Sequence, residues 1–381
     1  MLERSRCFLA GLAMAFVATL VSSPAAAQVP ELRVGFIVDQ TGPLAAIAAG
    51  YIRGVDQAVE MWNADPKNRK VAVRPCDSQS TGEGALSCYR QLEGAVDVIM
   101  GPHLFIGLAS VRGAATQKAP AWVTTVPFAN PPAGSWMFQS LPTVEDAVAA
   151  GFAYYQAKGV KRVATLTSND QPGNIAKQAA QKLAGTYGIE LVRVEVFDPQ
   201  AQNLVPQAEN IAASKPDGVM AWTAGPQLVT ALRALKAAGI SVPIMLNYAS
   251  MSVPLLRQVG REAPAELLFY GTAAFDPRGI TNAAYRERVV SYNERYRAKF
   301  GSMPDLPAYA AADVLLLIAQ AGQTATLPKD IRDTLASGRS FWGLIFEAYR
   351  FSTTDHVGKR GAEAFSILRW QPDSGSWTLV R

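Results

Sequence analysis

Short β-rich runs alternate with longer helical patterns along most of this 381-residue chain, and few architectures accommodate that rhythm. Leu32–Val38 reads as a buried strand and 44–62 as the helix after it. A second strand is expected at 71–74, a helix at 84–92 and a third strand at 96–100, ending at Gly101-Pro102. The pattern resumes with strands at 162–166, 191–196, Gly218–Trp222 and 243–246, and helices starting near 174, 204, 227 and 253. Alternation of this kind specifies parallel sheets joined by right-handed crossovers. Breaks at 137–142 and 269–277 divide the strands into two sheets rather than one. Two long helices (282–300 and 308–321) and strands near 344–351, 364–370 and 376–379 finish the chain. The expected fold class is α/β, with two lobes, each a parallel sheet flanked by helices.

The first residues have a separate purpose. Arg4 and Arg6 precede an uncharged apolar run over 8–21, followed by Ser22-Ser23-Pro24 and Ala25-Ala26-Ala27. This is the pattern of a secretory signal peptide, 1–27, removed after Ala27. The run falls short of the roughly 20 residues of a membrane span, although a retained anchor is the alternative. Cys7 lies inside the apolar run and no cysteine stands at the cleavage site, which favours an unlipidated protein released into the periplasm. The remainder suits two domains of ~150 residues. Its mild positive charge, +5 overall without blocks of one sign, argues against nucleic acid as a partner.

Cys76 and Cys88 are the cysteines left after cleavage, and in an oxidising compartment they are expected to be bridged. With His103 and His356 far away in sequence they make no zinc set, so no metal is expected. Cofactor motifs are lacking too: the turns at Gly42, Gly101 and Gly225 match neither a phosphate loop nor a dinucleotide fingerprint. The chain has no G-x-S-x-G and no H-E-x-x-H, so it is read as a binding protein rather than an enzyme.

Several segments resemble a known family. Val34-Gly35-Phe36-Ile37, Thr41-Gly42-Pro43-Leu44 and Gly54-Val55-Asp56-Gln57-Ala58-Val59 are similar to the N-terminus of the leucine/isoleucine/valine-binding proteins, the type I periplasmic binding proteins. The likeness continues through Cys76-Asp77-Ser78-Gln79-Ser80, Val98-Ile99-Met100-Gly101-Pro102, Asn130-Pro131, Gly173 and the run from Gly239 to Ile244. It implies two discontinuous lobes, 28–140 with 278–340 and 141–277 with 341–381, hinged at three crossovers near Leu141, Phe275 and Phe341. It also implies a monomer that holds a small solute between the lobes and delivers it to the permease of an ABC importer. A soluble sensor that partners a membrane receptor uses the same fold and stays open.

The resemblance places candidate contacts beyond the carboxyl ends of the strands, where helix N-termini and loop amides face the crevice. The positions that grip an amino-acid head group in the family carry Phe105, beside His103 and Leu104, and Ala129, after Phe128, so hydroxyls are lost. The first-helix aromatic becomes Ile47, and the aromatic before the glycine of a second-lobe turn becomes Pro172, next to Gln171. Trp222, Thr223, Asn247 and Tyr248 complete the set, and 247–252 contains no carboxylate. A buried ammonium without a counter-charge costs several kcal/mol. The lining therefore points to an apolar, aromatic body with a carboxylate held by backbone amides, and a branched-chain amino acid is the alternative ligand. Plainer readings exist for each: Phe105, Phe128 and Trp222 as packing aromatics, Tyr248 as a solvated loop residue, His103 as structural. His356 is expected at the surface, in the polar segment 352–360.

Overall fold

The computed structural model describes residues 30–380 apart from 116, 117, 128, 261–263 and 265. The segment 1–27, expected from the sequence to be a signal peptide, and Phe128 therefore lie outside the described residues. In chain order the first elements are β1 (Leu32–Val38), α1 (Ala45–Ala64), β2 (Val71–Asp77), α2 (Gly82–Leu92), β3 (Val98–Met100), α3 (Phe105–Ala115), β4 (Ala121–Thr124) and β5 (Met137–Gln139). There follow α4 (Val144–Ala157), β6 (Arg162–Ser168), α5 (Gln171–Leu183), β7 (Glu190–Phe197), α6 (Val205–Ala213), β8 (Gly218–Trp222), α7 (Pro226–Ala237), β9 (Ile244–Leu246), α8 (Val253–Val259) and β10 (Leu267–Gly271). The chain ends with α9 (Ala283–Phe300), α10 (Leu306–Gly322), α11 (Pro328–Leu335), β11 (Ser340–Trp342), β12 (Ala348–Arg350), β13 (Ser366–Gln371) and β14 (Ser376–Val380).

The strands form two main sheets, ordered β2-β1-β3-β4-β5 and β14-β13-β10-β9-β8-β6-β7. The first is parallel throughout, while the second is parallel from β10 to β7 and gains antiparallel β13 and β14 at one edge. Central strands such as β3 and β8 are buried along their whole length, because helices cover both faces of a parallel sheet. The helix starts are fixed by side chains: Thr81, Asp170, Asn282 and Asp305 each cap one, and Thr143 forms a reciprocal capping box with Asp146.

Helix α10 is buried on all sides and lies against α1. Gly54 makes that approach possible, since a Cβ there would collide with the Ala308 carbonyl. Across the sheet, Cys76 of β2 and Cys88 of α2 are joined by a disulfide with Cα atoms 5.6 Å apart.

The C-terminal part departs from expectation in two places. Residues 344–351 do not form one strand; they belong to the β11–β12 hairpin, and Phe341, Leu344, Ile345, Phe346, Tyr349 and Phe351 pack in the core of the first lobe. The segment from Phe341 to Phe351 therefore packs with the core beneath the first sheet. His356 is also not at the surface: it is fully buried, with its ring on Phe138. The polarity of 352–360 misled because its polar groups are used internally. Gln139 N–H donates to His356 O (2.9 Å) and Gly358 N–H donates to Gln139 O (2.8 Å), which lays this crossover along the edge of the first sheet. Asp146 Oδ1 accepts from Gly361 N (3.0 Å), stitching the same crossover to the start of α4.

Candidate functional site

The carboxyl ends of the two sheets face each other, and the side chains there come from loops that the strands hold in place. On the first lobe the β1–α1 and β2–α2 loops interlock. Asp77 accepts from Thr41 N (3.1 Å), Thr41 Oγ1 (2.7 Å) and Gln79 N (2.9 Å), and Ser80 Oγ donates to Thr41 O (2.8 Å) while accepting from Leu44 N (3.1 Å). These bonds sustain left-handed backbone at Gln79 and Ser80, a conformation that costs non-glycine residues free energy. Asp39, the first residue past β1, is buried and accepts from Ser78 Oγ at 2.5 Å.

His103 follows the Gly101-Pro102 turn at the end of β3. Its ring stacks on Tyr51 at 4.7 Å and 11°, and packs against Phe36. Nδ1 lies 3.2 Å from Thr125 Oγ1, while Nε2 is buried without a partner among the described residues. Burial pushes His103 down to about 3, so its imidazole is neutral at physiological pH. The Tyr51 phenol is pushed up, first by burial and further by the Asp305 and Asp39 carboxylates nearby. Tyr248, on the opposite lobe, is likewise pushed up, first by burial and further by Tyr51.

The second lobe contributes an aromatic wall. Trp222 meets Tyr248 edge-on at 5.9 Å and lies 5.8 Å from Tyr270, and Tyr248 stacks on Phe365 at 6.0 Å and 10°. Asn247 is spent on local structure: Nδ2 donates to Thr223 O (2.8 Å), and Oδ1 accepts from Ser250 N (2.9 Å) and Ser250 Oγ (3.0 Å). This turn holds Tyr248 in place. The Thr223 and Thr272 hydroxyls are buried without partners among the described residues.

A cavity of about 20 Å³ lies between the lobes beside the crossovers. Leu141 and Pro142 line it from the first crossover, Thr272 from the second and Phe365 from the third, with Tyr248, Ile345 and Phe346. None of its lining side chains is charged.

The sequence-derived candidates are distributed unevenly. His103, Trp222, Thr223 and Asn247 are buried at strand ends, and Tyr248 is half-buried against the aromatic wall. Ala129 is wholly buried in a core group, and Leu104 packs on the core of the first lobe. Phe105 opens α3 and is 45% exposed, Ile47 is 48% exposed on the first turn of α1, Gln171 is exposed and Pro172 half-buried at the start of α5. Sequence reasoning missed Tyr51, Asp39, Phe346 and Phe365. Tyr51 was within reach, since it lies one helical turn beyond Ile47 on the same face of α1.

The profile of the family described as periplasmic binding protein matches residues 31–375. The chain belongs to this family. Among solved structures, this periplasmic binding protein resembles an extracellular ligand-binding receptor from Rhodopseudomonas palustris HaA2 at 20% identity, covering 92% of this chain and 100% of that one, with a TM-score of 0.74. The branched-chain amino acid transporter substrate-binding protein LivJ from Streptococcus pneumoniae, in complex with isoleucine, is similar at 19% identity, 92% and 99% coverage and a TM-score of 0.73. The leucine-binding protein LivK from Thermotoga maritima is similar at 17% identity, 92% and 98% coverage and a TM-score of 0.74. At these identities the likeness speaks for the fold. A search of curated proteins found no match. No helix among the described residues is long and apolar enough to cross a membrane, and no group of three or more metal-ligating side chains occurs among them.

Proposed function

We propose that this periplasmic binding protein is the exported solute-binding component of an ABC importer, and that it carries a small organic solute with an apolar, aromatic body and one carboxylate. The observation that supports the ligand class is the wall formed by Trp222, Tyr248, Tyr270 and Phe365 beside a cavity whose lining bears no charged side chain. Aromatic faces contribute about 0.5–1.5 kcal/mol per ring pair beyond area burial, and they reward a flat partner. Loop amides at the strand ends are available for the carboxylate.

Transport by closure requires that the solute bind the folded protein and draw the lobes together. A panel of amino acids, aromatic acids and aliphatic acids, screened by thermal shift on the mature protein, tests the reading, because a compound that binds only the folded state raises the melting temperature. Aromatic acids are expected to give the largest shifts. Micromolar or tighter binding of a branched-chain amino acid in calorimetry overturns the proposed ligand class.

A further inference from the structure

We propose that Thr272 is a specificity-determining residue of the solute site, whose hydroxyl pairs with a neutral hydroxyl carried on the solute's aromatic body. The proposal rests on the cleft being the site of an aromatic acid and adds a ring substituent to that class.

Thr272 follows β10 directly, at the carboxyl end of that strand, and its side chain lines the cavity between the lobes. It is 4% exposed, and its Oγ1 has no hydrogen-bond partner among the described residues. A threonine in front of a helical turn ordinarily caps it. Here the turn Ala273–Phe275 comes next, yet the hydroxyl makes no capping bond. The nearby N–H groups are taken by backbone instead: Phe275 N donates to Thr272 O (3.2 Å) and Asp276 N to Ala273 O (3.1 Å). The hydroxyl thus does nothing for the local fold that a methyl group would not do. Tyr270, two residues back on the same face of β10, also lines the cavity and has an unpartnered oxygen. Its OH is committed to the packing of α4, where a Cβ on Gly151 would stand 2.6 Å from it. Of these two orphaned oxygens, that of Thr272 is the one available to the cleft.

A buried hydroxyl without a partner costs free energy that a bound partner recovers. The cavity limits what that partner is. Its volume of about 20 Å³ has room for one water-sized group, and none of its lining side chains is charged. A carboxylate is too large for that space and would enter it without a counter-charge. A hydroxyl fits, and it can both donate to and accept from a threonine. The ring that carries it then lies along Tyr248 and Phe365, which line the same cavity, and the carboxylate stays with the loop amides at the strand ends.

The test is calorimetry on the mature protein with 3-phenylpropionate and its ortho-, meta- and para-hydroxyphenyl analogues. Wild type is expected to bind at least one hydroxylated analogue about fivefold or more tighter than the parent. Thr272→Val keeps the shape and removes the hydroxyl. It is expected to abolish that preference while binding the parent within about twofold of wild type, and its melting temperature without probe should equal or exceed that of wild type. Thr165→Val is the control. Thr165 of β6 is also buried with an unpartnered hydroxyl but does not line the cavity, so its variant should retain the preference. Absence of a preference in wild type, a preference that survives Thr272→Val, an equal loss of it in Thr165→Val, or a lower melting temperature in Thr272→Val overturns the proposal and leaves the aromatic-acid reading intact. Failure of wild type to bind any of the probes sinks that reading and this proposal with it.

Discussion

The imidazole of His356 lies flat on the ring of Phe138, with centroids 4.3 Å apart and planes 3° from parallel, and its Nδ1 is 2.8 Å from Met137 O. Only a protonated Nδ1 can donate to that carbonyl, so the neutral ring leaves Nε2 as a lone pair, buried without a partner among the described residues. The crossover between the lobes is therefore built around an uncharged histidine. A second proton would place a cation in an apolar stack, and the positive charge of Arg332 disfavours it further.

Acid should weaken the fold through both histidines. His103 is pushed down to about 3 by burial, and His356 is pushed down by burial and by Arg332 against the pull of Met137 O and Asp355. A histidine depressed in the folded state contributes stability that is complete above its unfolded value near 6.5 and is lost as pH falls toward the folded value. For His103 the loss reaches about 2 kcal/mol by pH 5. Urea unfolding at pH 7 and pH 5 measures it, and His356→Asn, which retains a donor for Met137 O but does not titrate, should flatten part of the pH dependence. An unchanged pH slope would refute the assignment.

Asp313 acts in the opposite direction. Burial pushes its carboxyl up to about 6, against hydrogen bonds from Tyr349 OH (2.5 Å), Ile345 N (2.9 Å) and Leu344 N (2.6 Å). A carboxylate raised above its unfolded value costs stability above about pH 6, and that cost disappears below about pH 4. The three donors make the ionised form tolerable, and they fix the loop that presents Ile345 and Phe346 to the cleft. Tyr349→Phe removes one of them and should cost about 1–3 kcal/mol at pH 7, with a smaller deficit at pH 5, where the carboxyl is protonated. Paired denaturation curves of the variant and wild type at the two pH values decide it, and a deficit equal at both would show that the hydroxyl does not act through Asp313.

The Cys76–Cys88 bridge should be present in the mature protein and should stabilise it by about 3 kcal/mol, because it closes a short loop in the unfolded chain. Intact-mass measurement with and without reductant tests its presence, and unfolding with and without reductant tests its contribution. Alkylation of both thiols before reduction would exclude the bridge.

Much of the fold was legible because it rests on local periodicity. The β-rich runs at Leu32–Val38 and Gly218–Trp222 are buried on both faces, and such strands announce themselves as continuous apolar stretches. The β11–β12 hairpin was harder to read. Its pairing depends on side chains from α10, where Asp313 and Gln320 take up the backbone N–H groups of Leu344, Ile345 and Trp342, and no local pattern encodes partners so distant. His356 was misread for the same reason: its neighbours are polar, but its packing partner is Phe138, far back in the chain. In the site, alternation located the strand ends, and so His103, Trp222 and Tyr248. It did not reveal Phe346, in the loop of the β11–β12 hairpin, or Phe365, in the third crossover, because tertiary contacts set the path of both segments.

The aromatic wall yields the last prediction. Trp222 is 3% exposed and touches Tyr248 edge-on, while Tyr248 stacks on Phe365 from the third crossover. If this wall forms one face of the solute site, truncating Tyr248 should weaken an aromatic solute more than an aliphatic one of equal size, because the ring contribution is lost in addition to apolar area. Tyr248→Ala is expected to lower affinity for the best aromatic acid of the screening panel by about tenfold or more, and Tyr248→Phe to leave it within about threefold. Trp222→Ala removes the ring that supports Tyr248 and also opens a core cavity, so it should reduce both affinity and melting temperature. Tyr248→Ala separates the two effects, since its half-buried ring contributes less to the core. Scattering should then show that saturating aromatic acid compacts wild type and fails to compact Tyr248→Ala at the same concentration. Equal affinities for wild type and Tyr248→Ala would place the solute elsewhere in the cleft and remove the aromatic wall from its recognition.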